Sequence, residues 1–301
     1  AVIAAAIILS AVALFTLSSN LIFIVIMLCT NKTRNLRRHK ANDNNIAMML
    51  MMSMAISDIT FSVSVMPLSI VEVIENGKWN LGETLCAARQ TVNDFLCSVS
   101  IFHVNFMALD RYMAVCKPLS YRLLTNKTGY VMVMVSWLVP TFLVVLPRLI
   151  GWNNLGAKES VGCTGEVCES IYKLPIFIII VTLAIYLPFS TSYVFYFFIL
   201  REVSHVTTLD TNQVALSTSE TPGSSNPAMT SRSNMATKAY RTVGCLVFCF
   251  TVCWFPSWIF VTLYLQFERT IPQWVVLMIS WLAYSNGAIN PILYLGNRSV
   301  R

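Results

Sequence analysis

The residues that could do chemistry in this chain are charged side chains placed inside long apolar stretches. Asp58, Asp94 and the adjacent pair Asp110–Arg111 each interrupt such a stretch. A charged group among apolar residues is costly unless an opposite charge, a hydrogen-bonding group or water accompanies it. These positions therefore indicate ion pairing or ligand contact, and each needs polar partners from elsewhere in the chain.

The residue arrangements typical of soluble enzymes do not occur. The three histidines, His39, His103 and His205, are scattered without the spacing of metal ligands, and there is no glycine-rich phosphate loop. His103 lies within an apolar stretch, which favours a packed polar residue over a catalyst. We expect no catalytic residue and no enzymatic activity.

Composition indicates a membrane protein. Of the 301 residues, 56 % are hydrophobic and 12 % are charged, whereas a soluble domain usually carries about 25 % charged residues. That deficit leaves too little polar surface for a water-soluble globule. The net charge of +7 does not indicate nucleic-acid binding, because the basic residues lie between apolar stretches rather than along one amphipathic face. We expect membrane lipid, and no nucleic acid, among the partners.

Seven apolar stretches are long enough to cross a bilayer as helices, which takes about 20 residues each. Helices are favoured over strands because a barrel strand needs only about 10 residues and lipid tolerates no unpaired backbone groups. The expected fold is an all-α bundle of seven transmembrane helices, forming a single domain over residues 1–301. The predicted spans are residues 2–28, 45–73, 85–116, 130–150, 171–200, 236–265 and 272–295.

The distribution of basic residues predicts the orientation of the bundle. Most of the 21 lysines and arginines lie in or beside the loops at residues 31–44, 117–127 and 201–235 and at the carboxyl end. Because loops rich in Lys and Arg stay in the cytoplasm, we expect an extracellular amino terminus and a cytoplasmic carboxyl terminus. The third cytoplasmic loop, about residues 204–234, is rich in Ser, Thr and Asn and is expected to be disordered. Residue 1 already lies in an apolar stretch, so we expect both termini to be truncated.

Short motifs occupy defined places in the seven spans. Asp110–Arg111–Tyr112 closes the third span, Cys253–Trp254–Phe255–Pro256 lies in the sixth, and Asn290–Pro291–Ile292–Leu293–Tyr294 closes the seventh. The first, second, fourth and fifth spans each carry one further landmark, namely Asn20, Asp58, Trp137 and Pro188. In this order and spacing the set resembles the rhodopsin-like (class A) G-protein-coupled receptors over residues 20–294.

The resemblance implies a plasma-membrane receptor that binds an extracellular small molecule and activates a heterotrimeric G protein, with arrestin and receptor kinases as further partners. It implies that Arg111 pairs with Asp110 at rest and meets the G protein after activation. Where the family often has an acidic residue that locks this arginine, the chain has Ala236, so we expect measurable basal signalling. The further activation residues that the resemblance implies are Tyr112, Tyr196, Asn290, Pro291 and Tyr294.

The same resemblance implies an allosteric sodium ion held by Asp58. Ser100, Asn286 and Asn290 are the other residues implied for this site, and Trp254 is expected above it. The alternative is a plain polar network that packs the helices without an ion. Gly287 stands where the family usually has a serine. No other cofactor or metal is expected.

Of the nine cysteines, the resemblance implies a disulfide between Cys86, at the start of the third span, and Cys168, in the second outer loop. An oxidising extracellular face permits such a bond. Cys163 lies nearby and is a competing partner.

Within the family, residues 100–103 and 281–286 are similar to those of biogenic-amine receptors, including the serotonin and trace-amine groups. Those receptors hold the ligand ammonium with an aspartate seven residues after the bridge cysteine, where this chain has Asn93. Asp94 follows one residue later, which turns its side chain by about 100° around the helix. Two interpretations stay open: Asp94 binds the amine from the side, or it pairs with a basic outer-loop residue such as Lys173.

The remainder of the expected pocket is apolar and aromatic, which suits a cation and any flat apolar ligand alike. The fifth span lacks the serines with which catecholamine receptors bind ring hydroxyls, so a catechol ligand is not expected. The alternatives to an amine are a nucleoside, a lipid or a peptide. A transporter of the same topology is the alternative to a receptor, whereas a retinal protein is disfavoured because the last span has no lysine. Tyr284 is expected to bond Asn93. The predicted ligand-binding residues are Asn93, Asp94, Cys97, Ile180, Val181, Ala184, Trp254, Phe255, Trp258, Trp281 and Tyr284.

Overall fold

The apolar stretches fold as long helices, because a helix pairs every backbone N–H and C=O within one segment. The computed structural model describes residues 2–37, 45–151, 168, 174–217, 244–257, 259–260 and 273–296. Within those ranges the regular secondary structure is entirely helical. The helices are α1 (Val2–Arg37), α2 (Ile46–Ser64), α3 (Met66–Ile74), α4 (Glu83–Cys116), α5 (Pro118–Leu123), α6 (Asn126–Pro140), α7 (Leu146–Leu149), α8 (Leu174–Val181), α9 (Leu187–Ser217), α10 (Gly244–Ser257), α11 (Gln273–Tyr284) and α12 (Asn286–Gly296).

Apart from α5, which lies between the third and fourth spans, these helices correspond to the seven predicted spans. In the part of the chain that the structure describes, five stretches are long and apolar enough to cross a bilayer, and they match the first five spans. They are Val2–Thr30, Ile46–Ile74, Glu83–Cys116, Asn126–Leu149 and Ile178–Thr208. The shorter α10 lies within the predicted sixth span, and α11 and α12 together form the seventh.

The second and third spans form the centre of the bundle. In each of these two spans 56 % of the most apolar 18-residue segment is buried, whereas the share is 22–28 % in the first, fourth and fifth spans. The third span packs against the second, fourth and fifth. Large apolar side chains such as Ile7, Phe142 and Phe197 point outward and are exposed. That surface suits lipid rather than water.

Prolines shape the breaks within the spans. The fourth span contains a π-helical turn, Thr141–Val145, and the fifth contains another, Thr182–Tyr186. Each ends two residues before a proline, Pro147 and Pro188 respectively. Proline has no N–H to donate to the carbonyl four residues earlier, so the preceding turn widens. Each π turn changes the rotational phase of the span that follows it.

Polar side chains join neighbouring spans inside the bundle. The Nδ2 atom of Asn105 on the third span donates to the Pro188 carbonyl oxygen at 2.6 Å and to the Ser192 hydroxyl at 3.2 Å. On the opposite side, the Ser53 hydroxyl accepts from Trp137 Nε1 at 2.9 Å and lies 2.9 Å from His103 Nε2. His103 is fully buried in this network, in agreement with the prediction of a packed polar residue.

One boundary differs from the sequence prediction. Helix α9 continues to Ser217, so the first part of the loop predicted to be disordered, residues 204–217, is helical. No glycine or proline occurs between Pro188 and Pro222, and the chain therefore has no local signal to end the helix earlier. The rest of that loop lies outside the described residues, and so does Ala236 at the start of the predicted sixth span.

Candidate ligand-binding and signalling sites

A disulfide marks one end of the bundle, which we call the disulfide end. Cys86 and Cys168 are bonded with a Cα–Cα separation of 5.7 Å, which confirms the predicted bridge and excludes a bond from Cys86 to Cys163. Both sulfurs are buried against Trp79. The Gln90 side chain donates to the Cys168 carbonyl oxygen at 3.3 Å. Together these contacts fix Cys168 to the start of the third span.

Asp94 forms an ion pair with the fourth span. Its Oδ2 atom lies 2.6 Å from Nη2 of Arg148, and its Oδ1 atom accepts a hydrogen bond of 3.0 Å from Nδ2 of Asn93. The Arg148 side chain is 8 % exposed, whereas that of Asp94 is 37 % exposed. Asp94 thus has a basic partner, as one interpretation required, but that partner is a span residue that the sequence analysis did not consider. Lys173 lies outside the described residues.

A second ion pair lies at the disulfide end, between the second and third spans. Nη1 of Arg89 is 2.8 Å from Oε2 of Glu72 and donates to the Ser69 hydroxyl at 3.1 Å. The guanidinium also lies over the Trp79 ring, 4.8 Å from its centre. Both charged side chains are at most 7 % exposed. This pair is enclosed by protein and fixes the two spans to each other.

Tyr284 lies beside this enclosed pair. Its ring meets Phe61 edge-on at 4.9 Å and Trp281 at 5.3 Å, and its hydroxyl shares a hydrogen bond with Ser69. The expected bond between Tyr284 and Asn93 is wrong, because Asn93 Nδ2 donates to Asp94 and Asn93 Oδ1 has no hydrogen-bond partner among the described residues.

The other predicted pocket residues fall into three groups. Cys97, Trp254 and Tyr284 line one cavity, which reaches down to Asp58. On the fifth span, Ala184 is buried, and Ile180 and Val181 are half-buried. Phe255 is 48 % exposed, so it does not belong to the buried group. Consecutive helical residues point about 100° apart, and here Trp254 takes the interior position. Trp258 lies outside the described residues.

Asp58 is surrounded by polar groups at the centre of the bundle. It is 5 % exposed, and its Oδ2 atom accepts a hydrogen bond of 3.0 Å from Asn290 Nδ2. Ser100 and Asn286 line the adjoining cavity of about 20 Å³. A volume of about 10–15 Å³ holds one water molecule, so this cavity has room for a water-sized species. The structure thus brings together all four residues predicted for the sodium site.

Gly287 forms part of the wall of this cavity. A Cβ atom added there would lie 3.2 Å from the Asp58 carboxyl group and equally close to Thr16. Its carbonyl oxygen accepts a hydrogen bond of 3.0 Å from Asn20, which also bonds the Thr16 carbonyl at 2.8 Å. Asn20 therefore holds the backbone at Gly287 and does not itself reach the carboxylate.

Asp110 and Arg111 mark the opposite end of the third span, which we call the Asp110 end. Nη2 of Arg111 lies 3.2 Å from Oδ2 of Asp110, whose side chain is fully buried, while that of Arg111 is 33 % exposed. Tyr121 of α5 donates to Oδ1 of Asp110 at 3.0 Å. Burial, and then the nearby Asp110 charge, raise the pKa of Tyr121, so its hydroxyl stays protonated and continues to donate. Oδ1 of Asp110 is thus hydrogen-bonded, while Oδ2 has only the ion-pair contact with Arg111.

The three predicted activation tyrosines have different surroundings. Tyr112 stacks on Phe195 of the fifth span, with 5.4 Å between ring centres. The Tyr294 hydroxyl donates to Met54 Sδ at 3.0 Å, and the residue is 2 % exposed. Its ring also meets that of Phe23 at 5.3 Å, so Tyr294 is turned toward the first and second spans.

Tyr196 lies against the sixth span. A Cβ atom added at Gly244 would come within 2.7 Å of the Tyr196 hydroxyl oxygen, closer than real Cβ contacts. The absence of a side chain at Gly244 therefore lets the fifth and sixth spans approach closely near the Asp110 end. Further along α10, the Trp254 ring stacks on Phe250 at 5.9 Å.

The helical topology and the placement of these motifs can be compared with known proteins. The family model described as 7 transmembrane receptor (rhodopsin family) matches residues 19–294. The chain belongs to the rhodopsin family of seven-transmembrane receptors. Human 5-hydroxytryptamine receptor 4 is 31 % identical over 297 residues, which cover 95 % of this chain and 74 % of that receptor. Trace amine-associated receptor 13c of Danio rerio is 32 % identical over 255 residues, 81 % of this chain and 70 % of that receptor.

Membership of the family confirms the main predictions from the sequence. The receptor is a multi-pass membrane protein and a G-protein-coupled receptor, with a small-molecule ligand and a heterotrimeric G protein as partners. It is not an enzyme, and the alternative of a transporter is set aside.

Several residues that build these sites were missed by the sequence analysis. Arg148, Glu72 and Arg89 carry charges in or at the ends of apolar spans, and Tyr121 lies in the short helix after the third span. The signal was present for the first three, because a charge in a span needs a partner. For Tyr121, no signal in a single sequence distinguishes it from any other loop tyrosine.

Proposed function

We propose that this receptor lies in the plasma membrane with its disulfide end outside and its Asp110 end in the cytoplasm. There it binds an extracellular amine and activates a heterotrimeric G protein. The excess of Lys and Arg in the loops next to the Asp110 end supports this orientation. Arrestin and receptor kinases act on the same cytoplasmic face, and the basic first loop meets anionic lipid.

The observation that carries the proposal for an amine is the partly exposed carboxylate of Asp94 on the third span. It is the acidic group near the expected anchor position, and 37 % of its side chain is accessible. Cys97, one helical turn along the same face, lines the cavity that Tyr284 and Trp254 enclose. An ammonium group beside Asp94 would thus lie next to aromatic rings, which attract cations. The similar receptors are named for 5-hydroxytryptamine and for trace amines, which agrees with this ligand class.

Signalling follows from the second half of the bundle. In the resting state Asp110 holds Arg111, and Tyr121 holds Asp110. Agonist contact near Trp254 shifts the sixth span, which separates it from Tyr196 and uncovers Arg111 for the G protein. A ligand shifts an equilibrium only through its different affinities for the two states. The agonist must therefore bind more tightly to the active state, in which the sixth span has moved outward from the bundle.

A sodium ion fits the cavity at Asp58. The available donors are the Asp58 carboxylate and the side-chain oxygens of Ser100 and Asn286, and hard cations prefer oxygen ligands. The bound ion would neutralise a buried carboxylate and would favour the resting arrangement that closes the cavity. The side-chain amide of Asn290 would orient the carboxylate from the other side.

The experiment that tests the proposed function is a G-protein nucleotide-exchange assay on membranes from cells that express the receptor, with a panel of aromatic and aliphatic amines. We expect at least one amine to stimulate exchange, and Asp94→Asn to reduce its potency by about tenfold or more, because a charged contact is lost. An amine response that is equally potent in the Asp94→Asn receptor would remove Asp94 from the binding site.

A further inference from the structure

The Asp94/Arg148 pair differs from the other ion pair at the disulfide end in its accessibility. Glu72 and Arg89 are enclosed, whereas the Asp94 side chain is 37 % exposed. Asp94 also lies within electrostatic range of Cys97 and Tyr284, which line the central cavity. Of these two pairs, the Asp94/Arg148 pair is therefore the one that a ligand can reach.

The charges of this pair limit which ligands can use it. The carboxylate and the guanidinium neutralise each other at 2.6 Å, and the guanidinium is 8 % exposed. A simple amine gains the full charge of Asp94 only by drawing the carboxylate away from Arg148. Separating a buried cation from its partner is strongly unfavourable unless another anion replaces that partner.

A ligand that carries its own acid group avoids this cost. We propose that the Asp94/Arg148 pair receives a zwitterion of the α-amino-acid type, with the ligand ammonium on Asp94 and the ligand carboxylate on Arg148. The ammonium and carboxylate groups of such a ligand are bonded to the same carbon atom, and the two protein charges are in contact. The four charged groups can therefore alternate in sign around one site. This inference rests on the proposed function, in which Asp94 contacts the ligand amine.

Asn93 completes the ammonium site. Its Nδ2 atom donates to Asp94, while its Oδ1 atom is buried without a hydrogen-bond partner among the described residues. A buried acceptor without a hydrogen bond destabilises the protein, and an ammonium group has three N–H donors that could supply one. One donor can meet Asp94 and another Asn93 Oδ1. Asn93, which stands where amine receptors have an aspartate, would thus accept a hydrogen bond from the ligand ammonium.

The side chain of the ligand should be apolar or aromatic. Cys97 and Tyr284 lie within electrostatic range of Asp94, and the Phe61 ring packs edge-on against the Tyr284 ring, with 4.9 Å between ring centres. This lining of the space beside Asp94 offers rings and a thiol rather than charges. An aromatic or large aliphatic amino acid fits this lining better than an acidic or basic one.

The test compares each amino acid with the amine that lacks its carboxylate. The probes are tyrosine, tryptophan, phenylalanine and leucine with tyramine, tryptamine, phenethylamine and isoamylamine, applied in the nucleotide-exchange assay. We expect at least one amino acid to act, with a potency about tenfold or more above that of its matched amine. In Arg148→Gln the order should reverse, since the amino acid loses its anchor and the amine no longer competes with Arg148 for Asp94. Lys78→Gln, which removes an exposed positive charge from the loop before the third span, should leave both potencies unchanged.

A double variant serves as the control for misfolding of the single variants. Asp94→Asn with Arg148→Gln removes both charges, leaves no buried ion without a partner and should reach the cell surface. This double variant should lose the amino-acid response, and a retained response would overturn the proposal. Amines that act more strongly than their amino acids, with no effect of Arg148→Gln, would overturn the zwitterion site while leaving the proposed amine receptor intact. If neither class acts on a receptor that still promotes basal exchange, both proposals fall.

Discussion

The contact between Gly244 and Tyr196 makes the closeness of the fifth and sixth spans testable. In Gly244→Ala the new Cβ atom would lie 2.7 Å from the tyrosine hydroxyl oxygen and 3.1 Å from two ring carbons. Such overpacking costs about 1–3 kcal/mol. If the outward position of the sixth span relieves this strain, the equilibrium between resting and active states shifts by about 5- to 150-fold.

The expected effect lies at the lower end of that range. The Tyr196 ring is half-buried and absorbs part of the clash by moving a few tenths of an ångström. We therefore expect basal nucleotide exchange, measured without ligand and normalised to surface expression, to rise by about fivefold in Gly244→Ala.

A matched control distinguishes a general effect of overpacking from an effect specific to the contact between the fifth and sixth spans, which is expected to open on activation. In Gly129→Ala a Cβ atom would lie 3.0 Å from Met49 Sδ, between the second and fourth spans. These spans are not expected to separate on activation, so this variant should lower thermal stability without raising basal exchange. Unchanged or reduced basal exchange in Gly244→Ala, with normal expression, would refute the reasoning, and so would an equal rise in Gly129→Ala.

Three further predictions follow from the other contacts. Gly287→Val should fill the cavity beside Asp58, so that agonist potency no longer differs between sodium chloride and choline chloride buffers; a sodium effect that persists would contradict the proposed ion site. Cys86→Ala removes a disulfide, which typically costs about 2–5 kcal/mol, so we expect a large loss of surface expression and thermal stability, and wild-type values would count against it. An ordinary tyrosine hydroxyl loses its proton near pH 10, and the raised pKa of Tyr121 moves that loss to higher pH. The stability that its hydrogen bond contributes is therefore fully present below about pH 10 and is lost only as the pH rises through the raised pKa. Tyr121→Phe should therefore change basal exchange by the same factor at pH 6 and pH 9, and a factor that varies over this interval would show that Tyr121 titrates there.

The spans and the short motifs could be predicted from the sequence because they are local properties of the chain. A stretch of apolar residues is visible without knowledge of its neighbours, and Asp58, Asn286 and Asn290 were assigned to one site through their resemblance to a family. The disulfide of Cys86 and Cys168 was predicted on the same ground and is present.

Pairings between spans were harder to predict, because they depend on how each helix is rotated and tilted. Arg148 follows a π turn, which changes the direction of its side chain relative to a regular helix. Its partner Asp94 lies 54 residues earlier in the chain. The same difficulty applies to Asn105, which bonds the fifth span at Pro188, and to the pair of Glu72 and Arg89. A hydropathy pattern contains no information on these rotations.

The most direct measurement of the central claim is G-protein nucleotide exchange by the Arg111→Ala receptor, beside ligand binding to the same membranes. Arg111 lies at the end of the third span, paired with Asp110 and one-third exposed. We expect the variant to reach the surface and bind ligand while agonist-stimulated exchange falls to the level of cells without receptor. Stimulated exchange at the wild-type level would contradict the assignment of this end of the bundle as the site of G-protein activation.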